Sequence, residues 1–255
     1  MVNFYIDSVD INEIKDAVAT GFIKGVTTNP IISSKSEGSY FDQIKKILEI
    51  PEINHISVEP LFENKDNIYK SIISFANLDK KRIVIKLPPT LGGLSFVNWC
   101  RDNKIKTNVT LVMSWFQAYI AMKAEADYIS LLYGRIGDLG YDPVAVIRDT
   151  MTVKMFSYPA LKDYVKEREN PDMFGKKSED KAKTILDIIN FPKPINSQII
   201  IGSIRGGYDL IQILPTCPDI ITVPYKILKN ITNNPKSLEA MIEMNEKYKE
   251  KNNGK

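Results

Sequence analysis

The chain has one histidine, His55, and two cysteines, Cys100 and Cys217, in 255 residues. The cysteines lie far apart with no CxxC spacing, so neither a disulfide framework nor a zinc site is indicated. A single histidine excludes a His-rich metal cluster and argues against a Ser-His-Asp triad. Charge of one sign is not in excess either: 34 basic against 31 acidic residues leave +3. No arginine-rich stripe with interleaved aromatics appears, so nucleic acid is not an expected partner. No apolar run is long enough to span a bilayer, and membrane is not expected. The chain enters directly on a strand pattern, NFYID, without a basic n-region and apolar h-region. A soluble, cytoplasmic protein is the expectation.

What is present is a regular alternation. The residues that are 44% hydrophobic and 25% charged fall into short apolar runs and amphipathic stretches, with length enough for a full core. Strands are expected at Asn3–Asp7, Gly25–Asn29, His55–Glu59, Ile83–Leu87, Thr107–Leu111, Tyr128–Tyr133, Ile199–Ile204 and Ile220–Val223. Helical patterns separate them: Ile11–Thr20, opened by an Asp10/Glu13 capping box and closed by Gly21, then Tyr40–Ile50, Asn67–Leu78, Leu94–Asp102, Trp115–Glu125 and Pro143–Thr152. Tyr208–Leu214, Tyr225–Ile231 and Pro235–Lys249 complete the set. GRIGDLGYD after the sixth strand reads as a glycine-rich loop. Eight strand–helix units in one chain of this length predict an α/β fold, a (β/α)8 TIM barrel forming a single domain over 1–255. An extra C-terminal helix at about 235–250 and an insertion at about 156–198, before the seventh strand, depart from the plain barrel. Asp180–Ile189 is a candidate helix within that insertion, which is long enough to serve as a lid.

Arg82–Pro88, RIVIKLP, is the most informative run. It places Lys86 in a strand whose two faces would both be covered. Desolvation disfavours a charged ammonium, and a neutral amine in a dry pocket attacks carbonyls to form Schiff bases. The competing reading is a lysine whose stem packs while its head reaches a strand end. In a TIM barrel, function belongs at the C-terminal strand ends. Those ends carry Asp7, Thr27 and Asn29, Glu59, Lys86, Asn108 and Thr110, Ser130, then Ser203 and Arg205. The i, i+2 spacing of Thr27/Asn29, Asn108/Thr110 and Ser203/Arg205 puts each pair on one strand face. By residue type, Lys86 is the candidate amine, and Asp7 and Glu59 are candidate proton carriers. Asn29, Asn108 and Ser130 suit sugar hydroxyls, while Arg135, Ser203 and Arg205 suit a phosphate. Gly134 and Gly137 around Arg135 indicate a close backbone approach there. For each polar residue singly, an ordinary strand-ending or turn role competes.

FYID, GVTTNP, VIKLP, TNVTL, GRI, GSIR and ITVPYK occur in this order from about Asn3 to Ile231. Together they resemble the transaldolases, in particular the short transaldolase and fructose-6-phosphate aldolase branch. The resemblance implies a metal-free, cofactor-free class I aldol transfer on a TIM barrel, acting on sugar phosphates in carbohydrate metabolism such as the pentose phosphate pathway. It implies Lys86 as the Schiff-base lysine, Asp7 as the acid/base for cleavage, and Glu59 with Thr110 as the pair that positions a catalytic water. It implies Asn29, Asn108 and Ser130 as holders of the dihydroxyacetone portion, and Arg135, Ser203 and Arg205 as the phosphate site. Glu at position 59 matches the transferases, where the aldolases carry Gln. The wall of the site departs from the family pattern: SLLYGR stands where transaldolases resemble SPFVGR, so Leu131 and Leu132 replace its proline and aromatic residue. Tyr133 falls one residue on, at the parity that points away from the pocket. Open alternatives are therefore a fructose-6-phosphate aldolase-like lyase, a transaldolase for another anionic sugar such as a sulfonate, and a non-catalytic sugar-phosphate-binding protein. The resemblance also implies a homo-oligomer, a ring of five or ten chains, with the C-terminal helix reaching a neighbour.

Overall fold

The computed structural model describes residues 1–61, 65–156 and 195–253. Eight strands pair in parallel, each with its sequence neighbours, and β1 closes on β8 to form a barrel. They are β1 Asn3–Asp7, β2 Ile23–Thr27, β3 His55–Val58, β4 Ile83–Leu87, β5 Thr107–Val112, β6 Tyr128–Leu132, β7 Gln198–Gly202 and β8 Ile220–Pro224. The helices are α1 Ile11–Val18, α2 Pro30–Ser33, α3 Tyr40–Leu48, α4 Lys65–Ala76, α5 Leu91–Asp102, α6 Trp115–Lys123, α7 Tyr133–Asp138 and α8 Pro143–Phe156. Then follow α9 Gly207–Ile213, a 3₁₀ turn at Leu214–Thr216, α10 Tyr225–Thr232 and the extra C-terminal helix α11 Pro235–Asn253. The expected (β/α)8 TIM barrel is the fold observed.

Strand parity divides the apolar residues into two clusters. Ile6, Val26, Ile56, Ile85, Val109, Ile129, Ile201 and Ile221 join Ile14, Ile44, Ile72 and Val97 of the helices in the large core. The alternate positions point into the barrel, where Tyr5, Ile200 and Ile220 form a small separate cluster with Tyr128 packed on it. Gly25 makes room there: a Cβ at this position would lie 2.6 Å from the Tyr5 ring. The same inward parity, carried two residues further along β1, β2, β6 and β8, brings Asp7, Thr27, Ser130 and Thr222 to the C-terminal end of the barrel. The apolar runs thus build the outer core while their interruptions build the interior.

Several local expectations shift in the structure. Asp10 caps α1 through its carboxylate, which accepts from the backbone of Asn12 and Glu13. The return half of the capping box is not made: the Asp10 N–H turns to Ser8 Oγ, and that hydroxyl donates to Glu13 Oε2 at 2.5 Å. β2 stops at Thr27, two residues early, because Asn29 is drawn off to cap α2, accepting from Ile32 N at 3.0 Å with Pro30 opening the helix. GRIGDLGYD is not a loop: Tyr133–Asp138 is helical and only Gly140, at φ +80°, sits where glycine is needed to end it. α5 begins before its glycines, not after them, since Thr90 Oγ1 accepts from Gly93 N at 3.1 Å. The expected insertion core and the candidate helix Asp180–Ile189 lie outside the described residues. Among the described residues no helix is long and apolar enough to cross a membrane.

Candidate active site

At the C-terminal end of the barrel lies a cavity of about 350 Å³, and ten side chains singled out by sequence reading can be placed against it. Asp7, Thr27, Asn29, Glu59, Lys86, Thr110, Ser130, Arg135 and Ser203 line it, while Asn108 sits beneath. Lys86 is 7% exposed, and its Nζ donates to Glu59 Oε2 at 2.7 Å and to the Thr28 carbonyl at 3.0 Å. The amine is therefore held by two acceptors, one a backbone carbonyl and the other a carboxylate.

Both acceptors are anchored by Tyr40, from α3. The Glu59 N–H donates to Tyr40 Oη at 3.0 Å, and Tyr40 Oη lies 2.6 Å from Thr28 Oγ1. Thr28 spends its proton on the Ser57 carbonyl at 2.8 Å, so Tyr40 is the donor to Thr28. Burial pushes the Tyr40 phenol well above its ordinary value, which keeps that proton in place.

Asp7 ends β1 beside this pair. Its carboxylate accepts from Thr27 Oγ1 at 2.7 Å, and Thr27 Oγ1 lies 2.6 Å from Thr222 Oγ1. With the Thr27 proton on Asp7, Thr222 donates to Thr27, and the three groups form a directed chain. Burial raises the Asp7 carboxyl above the usual carboxylate range, against the opposing pull of Thr27 and Lys86. A raised acid facing a paired lysine and carboxylate is suited to moving a proton during a reaction.

The arginines separate. Arg135, from the first turns of α7, lines the cavity with Ser203, whose backbone is left-handed at φ 61°. Leu111, at φ 60° beside a break in the β5–β6 register, lines it too. Arg205 is not among the lining residues. β7 ends at Gly202, so Ser203 and Arg205 do not share a strand face, and the Arg205 guanidinium forks onto Asp138 at 2.7 and 2.5 Å. Gly134 permits this: a Cβ there would lie 2.5 Å from Arg205 Nε and 2.7 Å from the Ser203 carbonyl. Gly137 meets no comparable neighbour. Leu132 lines the cavity and Tyr133 does not, as strand parity predicts.

Sequence reading missed Thr222, Thr28 and Tyr40. Thr222 was detectable, since it has the inward parity of IITVP; the other two act through a backbone carbonyl and from a helix, and carry no strand-end signal. Among the described residues no group of three His, Cys, Asp or Glu side chains could hold a metal ion.

Comparison with known proteins shows the family. A probable transaldolase of Sulfurihydrogenibium sp. (strain YO3AOP1) is 32% identical over 235 residues, covering 92% of this chain and 90% of its own. One of Desulforapulum autotrophicum is 31% identical over 252 residues, 99% of this chain and all of its own. A third, of Caldicellulosiruptor saccharolyticus, is 32% identical over 231 residues, 91% and 89% of the two chains. The family model described as transaldolase/fructose-6-phosphate aldolase matches residues 4–254. With a buried, ion-paired lysine on the fourth strand of a closed barrel and this match along nearly its whole length, the chain belongs to the transaldolase/fructose-6-phosphate aldolase family.

Proposed function

We propose that this chain is a class I transaldolase, moving a dihydroxyacetone unit from a ketose phosphate to an aldose phosphate through a Schiff base on Lys86. The observation that carries the reading is the pairing of Lys86 Nζ with Glu59 at 2.7 Å on the cavity wall. Glu59 takes a proton from the ammonium, and the free amine adds to the C2 carbonyl of the donor. The carbinolamine loses water as Glu59 returns a proton to the departing hydroxyl, with Thr110 placed to hold that water. Asp7 accepts the C4 hydroxyl proton while the C3–C4 bond breaks, and its electron pair flows into the iminium to leave an enamine. The aldehyde phosphate departs. An acceptor aldose phosphate then takes up the enamine carbon, Asp7 protonates the new alkoxide, and hydrolysis releases the ketose from Lys86.

Thr27, Asn29 and Ser130 are proposed to hold the hydroxyls of the three-carbon unit, with Asn108 supporting Ser130 from below. Arg135 and Ser203 are proposed to hold the phosphate, and Arg205 to assist from the rim. Glu59 favours transfer over plain cleavage by resemblance to the transaldolases; a lyase is the second reading, because Leu132 carries the aromatic residue of neither branch. Leu238, Met241, Ile242 and Met244 are exposed on α11, which supports a homo-oligomer joined through that helix. The test is fructose 6-phosphate with and without erythrose 4-phosphate, alongside borohydride trapping. Glyceraldehyde 3-phosphate released only with the acceptor supports the transferase; release without it supports the lyase. Trapping that survives Lys86→Ala overturns the Schiff-base assignment.

A further inference from the structure

The single histidine of this chain lies inside the barrel, below the cavity, with no part in the chemistry above. His55 is 2% exposed and held between aromatic rings, its centroid 4.8 Å from that of Tyr5 and 4.5 Å from that of Tyr128. Its Nε2 lies 2.7 Å from Ser57 Oγ, two residues along the same strand. Ser57 Oγ accepts from Asn108 Nδ2 at 3.1 Å, and Asn108 Oδ1 accepts from Ser130 Oγ at 2.8 Å. Ser57 and Asn108 are fully buried, and Ser130 lines the cavity. An unbroken polar chain thus runs up the barrel axis from His55 to the cavity.

With every proton of the chain given to a partner within it or to the cavity, two arrangements exist. A serine owns one proton, and an amide presents a donor at one end and an acceptor at the other. If Nε2 is bare, Ser57 donates down to His55, Asn108 donates to Ser57, and Ser130 donates to Asn108. Ser130 then faces the cavity with lone pairs only. If Nε2 carries the proton, every bond reverses, the Asn108 amide turns over, and Ser130 aims its proton into the cavity. The observed amide orientation belongs to the first arrangement. Its other consequence is a protonated Nδ1, and Nδ1 is the buried side-chain atom with no hydrogen-bond partner among the described residues. An aromatic surround tolerates an N–H better than a bare lone pair. Burial also pushes the imidazole down to about 3, so the ring stays neutral and keeps one nitrogen available as an acceptor.

We propose that His55, acting through Ser57 and Asn108, is a positioning residue that sets Ser130 as a hydrogen-bond acceptor for a ligand hydroxyl, an inference that rests on reading the cavity as a site for a hydroxylated ketone. The role is polarity selection at a distance: the cavity floor takes a group that donates.

Two measurements decide it. In 15N-labelled protein the one histidine gives one pair of ring signals, so its tautomer is read directly. A protonated Nδ1 with bare Nε2 is expected; a protonated Nε2 overturns the proposal, whatever the protein catalyses. The second is borohydride trapping of Lys86 with dihydroxyacetone and with acetone, compared as the ratio of their half-saturating concentrations. His55→Phe and Ser57→Ala are each expected to reduce the preference for the hydroxylated ketone by about tenfold. His55→Gln, whose amide oxygen reaches the place of Nε2, is expected to recover it. A preference equal to wild type in both variants, or a loss that His55→Gln does not repair, overturns the proposal. If the wild-type protein traps neither ketone, the Schiff-base reading fails, while the tautomer still decides the hydrogen-bond sense.

Discussion

Lys86 and Glu59 form a 2.7 Å ion pair whose side chains are 9% and 16% exposed, and neither group is solvated well enough to stand alone. Removing one partner strands the other. Glu59→Gln is expected to lower stability by roughly 1–3 kcal/mol, because the ammonium keeps a hydrogen bond and loses the charge. Adding Lys86→Met to that variant is expected to recover most of the loss, since an apolar stem replaces the stranded charge. Denaturant unfolding of the two single variants and the double checks this; equal losses that add would contradict it. In Glu59→Gln alone, which keeps Lys86, acceptor-independent cleavage is expected to rise relative to transfer.

Asp7 predicts an inverse pH effect. Its folded carboxyl is raised by burial, so the native state binds its proton more tightly than the unfolded chain. The stability this group contributes is present below the ordinary carboxylate value and is lost as pH rises through the higher folded value. Asp7→Asn removes that loss. The variant is expected to melt above wild type at neutral pH, with the gap closing in acid, while cleavage falls by about 10²–10⁴-fold. A variant less stable than wild type at neutral pH would show that the carboxylate's contacts outweigh its desolvation.

The two arginines are expected to act unequally. Arg135→Ala should raise KM for a phosphorylated ketose by about 10- to 100-fold, with far less change for dihydroxyacetone. Arg205→Ala should cost only a few-fold, because Asp138 already forks onto its guanidinium and is itself held below the usual carboxylate range by that contact. Asp138→Asn frees Arg205 and should lower KM. Steady-state kinetics on the three variants decides; a larger effect at Arg205 than at Arg135 would reverse the assignment.

Adjacent glycines in α5 predict opposite signs. A Cβ at Gly92 meets nothing within 4 Å, so Gly92→Ala should stabilise by about 0.5–1 kcal/mol, the ordinary helical gain. A Cβ at Gly93 would lie 2.0 Å from the Pro88 carbonyl oxygen, immediately after the strand that carries Lys86. Gly93→Ala should destabilise by about 1–3 kcal/mol and also slow ketone trapping, since the backbone near Lys86 must move. Thermal unfolding of both variants is the check.

Much of this fold is legible in the residues. Short β-patterned runs stopped by Pro30, Pro60 and Pro88 read as strands, and a lysine inside the apolar one before Pro88 stands out because desolvation makes that placement costly. Where local signals misled, a side chain had two competing uses. Asn29 extends a strand pattern and also caps a helix, and the cap prevails because Pro30 cannot continue the ladder. The glycines after Tyr133 suggest a loop, but Gly134 is small to admit Arg205 and Ser203 against a helix.

The chain's own order of residues determined the barrel, the buried lysine on its fourth strand and the ring of polar strand ends, because strand period and burial are local properties that each run carries by itself. Only the closed structure decided which of those polar groups meet. Tyr40 reaches Thr28 and Glu59 from a helix, Arg205 turns to Asp138 across 67 positions, and His55 reaches Ser130 through Ser57 of its own strand and Asn108 of β5. A hydrogen bond needs contact within about 3 Å, and barrel closure is what converts distant positions into neighbours.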